Sequence, residues 1–199
     1  MQNYVENKSI AVVGNAQSLF DFQYGSDIDD HQIVIRINNS AIFYDDLNPR
    51  HSHGTKIDIW AFWEFWRTAT SHHSYKTPQL EKYIYSNKYK SLNLAMTNRN
   101  NGFVYNNKEF GKDIKLQMLS EIGTPSSGIC ILYLLNTMNP SIVNVYGMDF
   151  KRTKTFHKAY NDVDNNRFDP FNNLNFEFEE EYAMKQFFSQ ERFNLKGEI

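Results

Sequence analysis

The stretch of this sequence best suited to bind an anion is a turn rich in Gly, Pro and Ser that leads into an apolar segment. The turn is residues 123–128 (Gly-Thr-Pro-Ser-Ser-Gly), and the segment that follows predicts a helix over 129–139. Ser126 or Ser127 suits the N-cap, and Pro140 cannot continue a helix. Because a helix N-terminus presents N–H groups and partial positive charge, the pattern indicates a phosphate site. Taken alone, the pattern is more often that of an ordinary capped core helix.

Two asparagines follow the first two predicted strands. The apolar runs 9–13 and 33–37 indicate buried parallel strands, and Asn15 and Asn38 lie just past their ends. Ligands bind at that edge of open parallel sheets, where amides donate to phosphate or ribose oxygens and accept from a base amine. The NAD fingerprint is incomplete, because two of its glycines and its acidic residue are missing. Each asparagine would also suit a turn that it caps itself.

The order of segments predicts an α/β fold with a Rossmann-like, doubly wound, mostly parallel sheet, in a single domain spanning 1–199. Helical segments are expected near 17–22 and over 176–188. Further strands are expected at 57–62, 91–96 and 142–146, the last being treated as the final strand. Polar loops are expected at 25–31, 97–112 and 151–175, the last as an active-site loop or lid.

Composition narrows the class of protein. The net charge of −2 gives no reason to expect a nucleic acid partner. The single cysteine, Cys130, excludes an intrachain disulfide. No apolar run has the length of a membrane span, and Met1 is not followed by a signal segment, so we expect a cytoplasmic protein without an integral membrane segment. Five histidines are expected to be surface or capping residues: His31, His51, His53, His72 and His73.

Three segments near the N-terminus resemble the long sialyl motif of the animal-type sialyltransferase family. They are 11–15 (Ala-Val-Val-Gly-Asn), 24–31 (Tyr-Gly-Ser-Asp-Ile-Asp-Asp-His) and 34–38 (Val-Ile-Arg-Ile-Asn). Residues 53–56 (His-Gly-Thr-Lys) parallel the Val-Gly-(Ser/Thr)-Lys-Thr segment that follows that motif. A second region, 125–147, is similar to the family's short motif, in which Pro-Ser-Thr-Gly leads to Val-Tyr-Gly. The two motifs occur in the family's order about ninety residues apart, which makes the pair specific.

The resemblance implies an inverting, metal-independent glycosyltransferase without a cofactor. Its donor would be a CMP-activated sugar, either sialic acid or the related acid Kdo, and its acceptor an oligosaccharide or lipid-linked saccharide. By the same resemblance, Asn15 and Asn38 contact CMP. Residues 126–128 (Ser126, Ser127 and Gly128) hold it through hydroxyl and backbone groups, and Gly147 lets the chain pass close to the nucleotide.

The family's third and fourth motifs are weaker in this sequence. The third corresponds to 156–161, where His157 or Tyr160 would donate to the phosphate. The fourth is a histidine followed five residues later by a glutamate. Glu179 fits the glutamate, but Leu174 occupies the histidine's place, so the family's usual catalytic base is missing.

Three interpretations of the missing base follow. His157 can serve as the base, because imidazole titrates near neutral pH. Asp149, just past a strand end, can serve instead. In the third, the protein is an impaired nucleotide- or glycan-binding module. A nicotinamide oxidoreductase is disfavoured by the missing glycines.

Two further departures concern cysteines. Ile10 and Met138 occupy the positions of the disulfide found in the animal enzymes. Their replacement suits a reducing cytosol, and we expect a compact microbial or viral member that modifies a saccharide from the cytoplasmic side.

Overall fold

Most described strands of the protein join in one sheet. The computed structural model describes residues 2–37, 52–63, 92–96, 103–105, 125–153, 168–169 and 174–197. The strands of the seven-stranded sheet are β1 (Ser9–Val13), β2 (Ile33–Ile37), β3 (Ile59–Trp63), β4 (Leu92–Met96), β5 (Phe103–Tyr105), β6 (Ile142–Tyr146) and β9 (Phe193–Lys196). A separate two-stranded ribbon pairs β7 (Phe168–Asp169) with β8 (Leu174–Asn175). The helices are α1 (Gln2–Val5), α2 (Gly25–Asp30), α3 (Ser127–Thr137) and α4 (Phe176–Gln186), with a 3-10 turn at Gln17–Asp21.

The strand order is β5-β4-β3-β2-β1-β6-β9. All pairings from β3 to β9 are parallel, and β4 and β5 continue the sheet antiparallel. The chain proceeds outward from β1 to β2 and β3, then returns to place β6 on the other side of β1. This reversal is the topological switch point at which such sheets bind ligands. The predicted mostly parallel, Rossmann-like fold is confirmed.

Both faces of the sheet are covered. In β1, Ile10 and Val12 point to the face that α3 and α4 cover, whereas Ala11 and Val13 point to the face that α2 and the 3-10 turn cover. Burial on both sides explains why β1 reads as a continuous apolar run without polar alternation.

Helix α3 forms as its local sequence predicts. Ser126 is the N-cap, with extended backbone, and its hydroxyl accepts the N–H of Ile129. Seven of the eleven residues of α3, counting Gly128, are apolar and buried, so tertiary packing holds the helix in place. At its end, Asn139 adopts a positive φ of 53°, and Pro140 follows. The segment then turns into β6.

Four sequence predictions need correction. Residues 25–30, expected to be a polar loop, form α2, because Ile28 packs into the core and anchors a helical turn. Residues 103–105, expected within a loop, form the edge strand β5. Strand β6 is not the last, since β9 pairs beside it. His53, expected at the surface, is 1% exposed. The single-domain boundary of 1–199 stays a prediction.

The backbones of two glycines touch where β1 and β6 end. The N–H of Gly14 donates to the carbonyl of Tyr146 at 2.8 Å, and that of Ala16 donates to the carbonyl of Gly147 at 3.0 Å. A Cβ on Gly14 would lie 2.2 Å from the Gly147 carbonyl oxygen. A Cβ on Gly128 would instead meet the flexible tip of the Met148 side chain, at 2.8 Å. The first contact is backbone and cannot yield, whereas the second can.

These contacts predict that two Gly→Ala variants differ in how much stability they lose. Gly14→Ala should lower the free energy of unfolding by about 2 kcal/mol or more, because the added methyl overpacks a rigid backbone contact. Gly128→Ala should change it by less than about 1 kcal/mol, since the helix gains from alanine what the Met148 shift costs. Urea unfolding of both variants measures the difference, and equal stabilities would contradict it.

Candidate functional site

Three segments meet at the carboxyl edge of the sheet and form the candidate site. Gly14 and Asn15 follow β1, and Gly147 and Met148 follow β6 directly beside them, since Val13 and Tyr146 are paired in register. The Met148 side chain packs against Gly128 at the start of α3. The strand ends and the helix N-terminus therefore share one location, as the sequence predicted for a phosphate site.

Asn15 presents an unused acceptor at this location. In the part of the chain that the structure describes, the two buried side-chain polar atoms with no hydrogen-bond partner are Oδ1 of Asn15 and Oε2 of Glu179. A buried acceptor without a partner costs free energy, so such atoms commonly mark places where a ligand or water binds. Beside Asn15, Gly147 has a φ of 59°, a conformation that a side chain would strain.

Glu179 lies in the first turn of α4 and is 1% exposed. Its Oε1 accepts the backbone N–H of Ser126 at 2.5 Å, which seats the carboxyl at the N-terminus of α3. Burial raises the pKa of Glu179 to about 7, and hydrogen bonds from Ser126 offset part of that rise. The carboxyl is therefore close to half protonated at neutral pH. Its enclosure suits it to hold the N-terminus of α3 in place.

Asp149 shapes the turn that leaves β6. Its carboxylate accepts from the Ser18 hydroxyl at 3.1 Å, from the N–H of Lys151 at 3.1 Å, and from the N–H and hydroxyl of Thr153. These bonds support positive φ angles at Phe150 and Lys151, of 52° and 64°. Three of these four hydrogen bonds come from the turn and one from Ser18, and three of the four reach Oδ2 of Asp149. Its predicted role as a base stays a prediction.

The same turn docks on α4. Lys151 lies over the ring of Phe176, 5.9 Å from its centroid. Arg152 pairs with Glu180 at 2.6 Å, with the arginine side chain about half exposed. Together with the bond between Glu179 and Ser126, these contacts connect the start of α4 to both the turn after β6 and the N-terminus of α3.

Arg36 anchors the 53–56 segment to the sheet from β2. Its side chain is fully buried, and its guanidinium donates to the carbonyls of Lys56 at 2.8 Å and His53 at 2.9 Å and to the His53 ring at 3.1 Å. Burial and the Arg36 charge lower the pKa of His53 to about 3, so the ring stays neutral.

Asp29 of α2 locks the same segment from the other side. Its carboxylate accepts the N–H groups of Thr55 and Lys56. A Cβ on Gly54, which has a φ of 66°, would lie 2.4 Å from an Asp29 carboxylate oxygen. The contacts of the 53–56 segment are therefore structural.

The predicted site residues divide into two groups. The first group lies at the carboxyl edge of the sheet and comprises Asn15, residues 126–128, Gly147, Asp149 and Glu179. Asn38, His157 and Tyr160 lie outside the described residues, as does most of the predicted lid at 151–175. Their roles stay predictions.

Comparison with known proteins settles the family. The model of glycosyltransferase family 29, described as sialyltransferase, matches residues 3–192 of this chain. This protein belongs to glycosyltransferase family 29. The motifs at Asn15 and Ser126–Gly128 lie inside the matched range, and so does Glu179.

Solved structures show the same fold. The family 29 chain aligns with the crystal structure of a mammalian sialyltransferase with a TM-score of 0.60 and 15% identity, over 96% of this chain and 70% of that one. A second structure, of a mammalian sialyltransferase in complex with Gal-beta-1-3GalNAc-ortho-nitrophenol, gives 0.59 and 16%, over 100% and 72%. No curated protein sequence matches significantly.

The described residues also show whether metal ligands cluster and whether a helix could span a membrane. Across the described ranges, no three His, Cys, Asp or Glu side chains converge as metal ligands would. Metal independence itself stays a prediction. None of the helices formed by these residues is both long and apolar enough to cross a bilayer.

Sequence reasoning missed the partner of Glu179. Its hydrogen bond to Ser126 joins residues that are 53 positions apart, and no local pattern signals such a contact. The N-cap role of Ser126 was visible locally, because Ser before an apolar run is a start signal.

The raised pKa of Glu179 predicts how stability depends on pH. Between about pH 4.5 and 7 the folded protein holds a proton that the unfolded chain has lost, so this group's contribution to stability falls as pH rises through that window. Glu179→Gln removes the titration. The free energy of unfolding of the variant, relative to that of wild type, should therefore rise by up to about 3 kcal/mol between pH 5 and 8.

Urea unfolding at unit steps of pH measures this gain, with the exposed Glu181→Gln on the same helix as the control. A stability difference between Glu179→Gln and wild type that does not change with pH would contradict the assignment.

Proposed function

We propose that this protein transfers an acid sugar from a CMP-sugar donor to a hydroxyl of a saccharide acceptor, with inversion and without a metal. Sialic acid is the first donor to test and Kdo the second. The observation that carries the proposal is the meeting of the two sialyl motifs at one edge of the sheet, with the Asn15 acceptor unpaired beside the N-terminus of α3. Family membership supports the reaction class.

The site offers what departure of a nucleoside monophosphate needs. As the bond from the sugar to the phosphate breaks, negative charge grows on the phosphate oxygens, and N–H donors with a helix dipole stabilise it. The start of α3 supplies both. Asn15 lies where an amide can bind ribose or base through its free oxygen.

A base must also remove the proton of the acceptor hydroxyl. His157 is our first choice because the family's usual position holds Leu174. The carboxylate of Asp149 is the second, although it already accepts three hydrogen bonds from its own turn and one from Ser18.

Leu174 also favours a second candidate function, a nucleotide- or glycan-binding module of the same fold that has lost transfer activity. Such a protein would bind CMP and release none from CMP-sialic acid.

A cytoplasmic setting for polysaccharide synthesis is part of the proposal. Cys130, the only cysteine of the sequence, is buried and forms no disulfide, which suits a reducing compartment. The acceptor is an oligosaccharide or a lipid-linked saccharide.

A transfer assay tests the reaction. Wild type, given CMP-sialic acid and the disaccharide glycoside bound in the mammalian relative, should release CMP and form a sialylated product detected by mass spectrometry. His157→Ala should lower the rate 100-fold or more, in line with the loss of a general base.

Three results of this assay are informative in other ways. Unchanged turnover in His157→Ala would reject that base. CMP binding without transfer from either donor to any acceptor supplied would favour the binding module. Abolition by EDTA with rescue by a divalent ion would reject metal independence.

Asn15→Ala tests the nucleotide site. Loss of the amide should weaken CMP binding by about 1–3 kcal/mol, the usual cost of removing one partner of a buried hydrogen bond. Calorimetric titration with CMP measures the change, and Gln17→Ala, an exposed amide two residues further on, is the control. An unchanged dissociation constant for Asn15→Ala would remove this residue from the site.

A further inference from the structure

The carboxyl of Glu179 shares the N-terminus of α3 with the proposed phosphate position. One oxygen binds the N–H of the N-cap residue Ser126, and the other is buried without a partner. An anion at this helix end and an ionised carboxylate at the same end draw on the same dipole. A phosphate bound at this helix end would add a second negative charge near an ionised Glu179, and like charges in a buried setting repel each other more strongly than in water.

The charged groups around Glu179 do not cancel its charge. In the turn after β6, Asp149 is held by its own turn, Lys151 lies over Phe176, and Arg152 pairs with Glu180. On α3 the nearby titratable group is Cys130, one helical turn beyond Ser126. On α4 itself, Glu177 and Glu181 are exposed, and Lys185 lies in the last turn. No described cation forms a salt bridge with Glu179.

We propose that Glu179 is a proton-binding group coupled to the nucleotide site, which takes up a proton when the phosphate binds at the N-terminus of α3. This inference rests on the proposed function and adds regulation to it. The neutral carboxyl keeps its hydrogen bond from Ser126 and places no charge behind the phosphate. The ionised carboxylate opposes the phosphate.

This coupling should affect the affinities for the donor and for the product differently. In a CMP-sugar the phosphate is a diester with one negative charge, whereas the phosphate of free CMP carries about −1.5 to −2 at pH 7. Repulsion from Glu179 therefore acts more strongly on the product than on the donor. The carboxyl favours release of CMP after transfer, and increasingly so as pH rises.

The raised pKa of Glu179 in the free protein supports proton uptake, rather than proton release, on phosphate binding. Its pKa of about 7 in the free protein leaves it part ionised at neutral pH, so there is a proton to be gained on binding. A phosphate nearby raises that pKa further, because a like charge disfavours the ionised form.

Isothermal titration calorimetry with the cytidine 5′-monophosphate methyl ester tests the coupling. This probe is a diester whose charge stays constant between pH 6 and 9, so proton uptake belongs to the protein. Repeating each titration in two buffers of different ionisation enthalpy counts the protons. Wild type should take up about half a proton or more near pH 7.5 and bind about tenfold less tightly at pH 8.5 than at pH 6.5.

Glu179→Gln should lose most of that uptake and the pH dependence, whereas Glu181→Gln should keep both. CMP affinity in wild type should fall more steeply with pH than that of the methyl ester. Uptake near zero in wild type overturns the proposal whether or not the glutamine variant folds, and so does equal uptake in wild type and Glu179→Gln.

The proposed function fails in a distinguishable way. If neither CMP nor its methyl ester binds wild type at any pH from 6 to 8.5, the nucleotide site itself is rejected, and the coupling with it. If both bind and no proton is taken up, the nucleotide site stands and only the coupling is lost.

Discussion

The close contact of two backbones at Gly14 and Gly147 is the constraint on which the site depends. A side chain at Gly14 would occupy the space of the Gly147 carbonyl, so the ends of β1 and β6 approach only because glycine stands there. Their approach brings Gly14, which precedes Asn15, beside Met148, whose side chain reaches the first turn of α3. Sheet register, strand ends and helix N-terminus are thereby coupled, because a shift of one displaces the others.

The described residues of the motifs include a rigid hydrogen-bonded network and a buried carboxyl that lacks one partner. Arg36, buried at the end of β2, and Asp29 of α2 fasten the 53–56 segment by several hydrogen bonds, so this part of the long motif is a scaffold. In contrast, one carboxyl oxygen of Glu179, Oε2, has no hydrogen-bond partner among the described residues. Rigid networks satisfy their polar atoms, whereas sites that exchange ligands or protons leave some unsatisfied. This contrast distinguishes the residues whose hydrogen bonds hold the fold from Glu179, for which we propose a role at the nucleotide site.

The family resemblance and the structure describe the same edge of the sheet by independent routes. The motifs placed Asn15, Ser126, Ser127, Gly128 and Gly147 in one nucleotide site, and the strand order puts these residues at a topological switch point. By the motif resemblance, Leu174 stands where the family has its usual histidine. It moves the question of the base to His157 and leaves Glu179 as the titratable part of the fourth motif.

The sequence by itself determined the parallel strands β1, β2 and β6, the capped helix α3 and the helix α4, because their apolar runs, N-caps and proline stops are local signals. It did not predict α2 or β9, whose short segments are stabilised by burial against distant elements. Only the tertiary structure decided that Glu179 would accept a hydrogen bond from Ser126 and that the Asp149 carboxylate would accept hydrogen bonds from the turn that follows it. Contacts between residues far apart in the chain depend on how the layers pack, and desolvation, which sets the protonation of Glu179, exists only once they have packed.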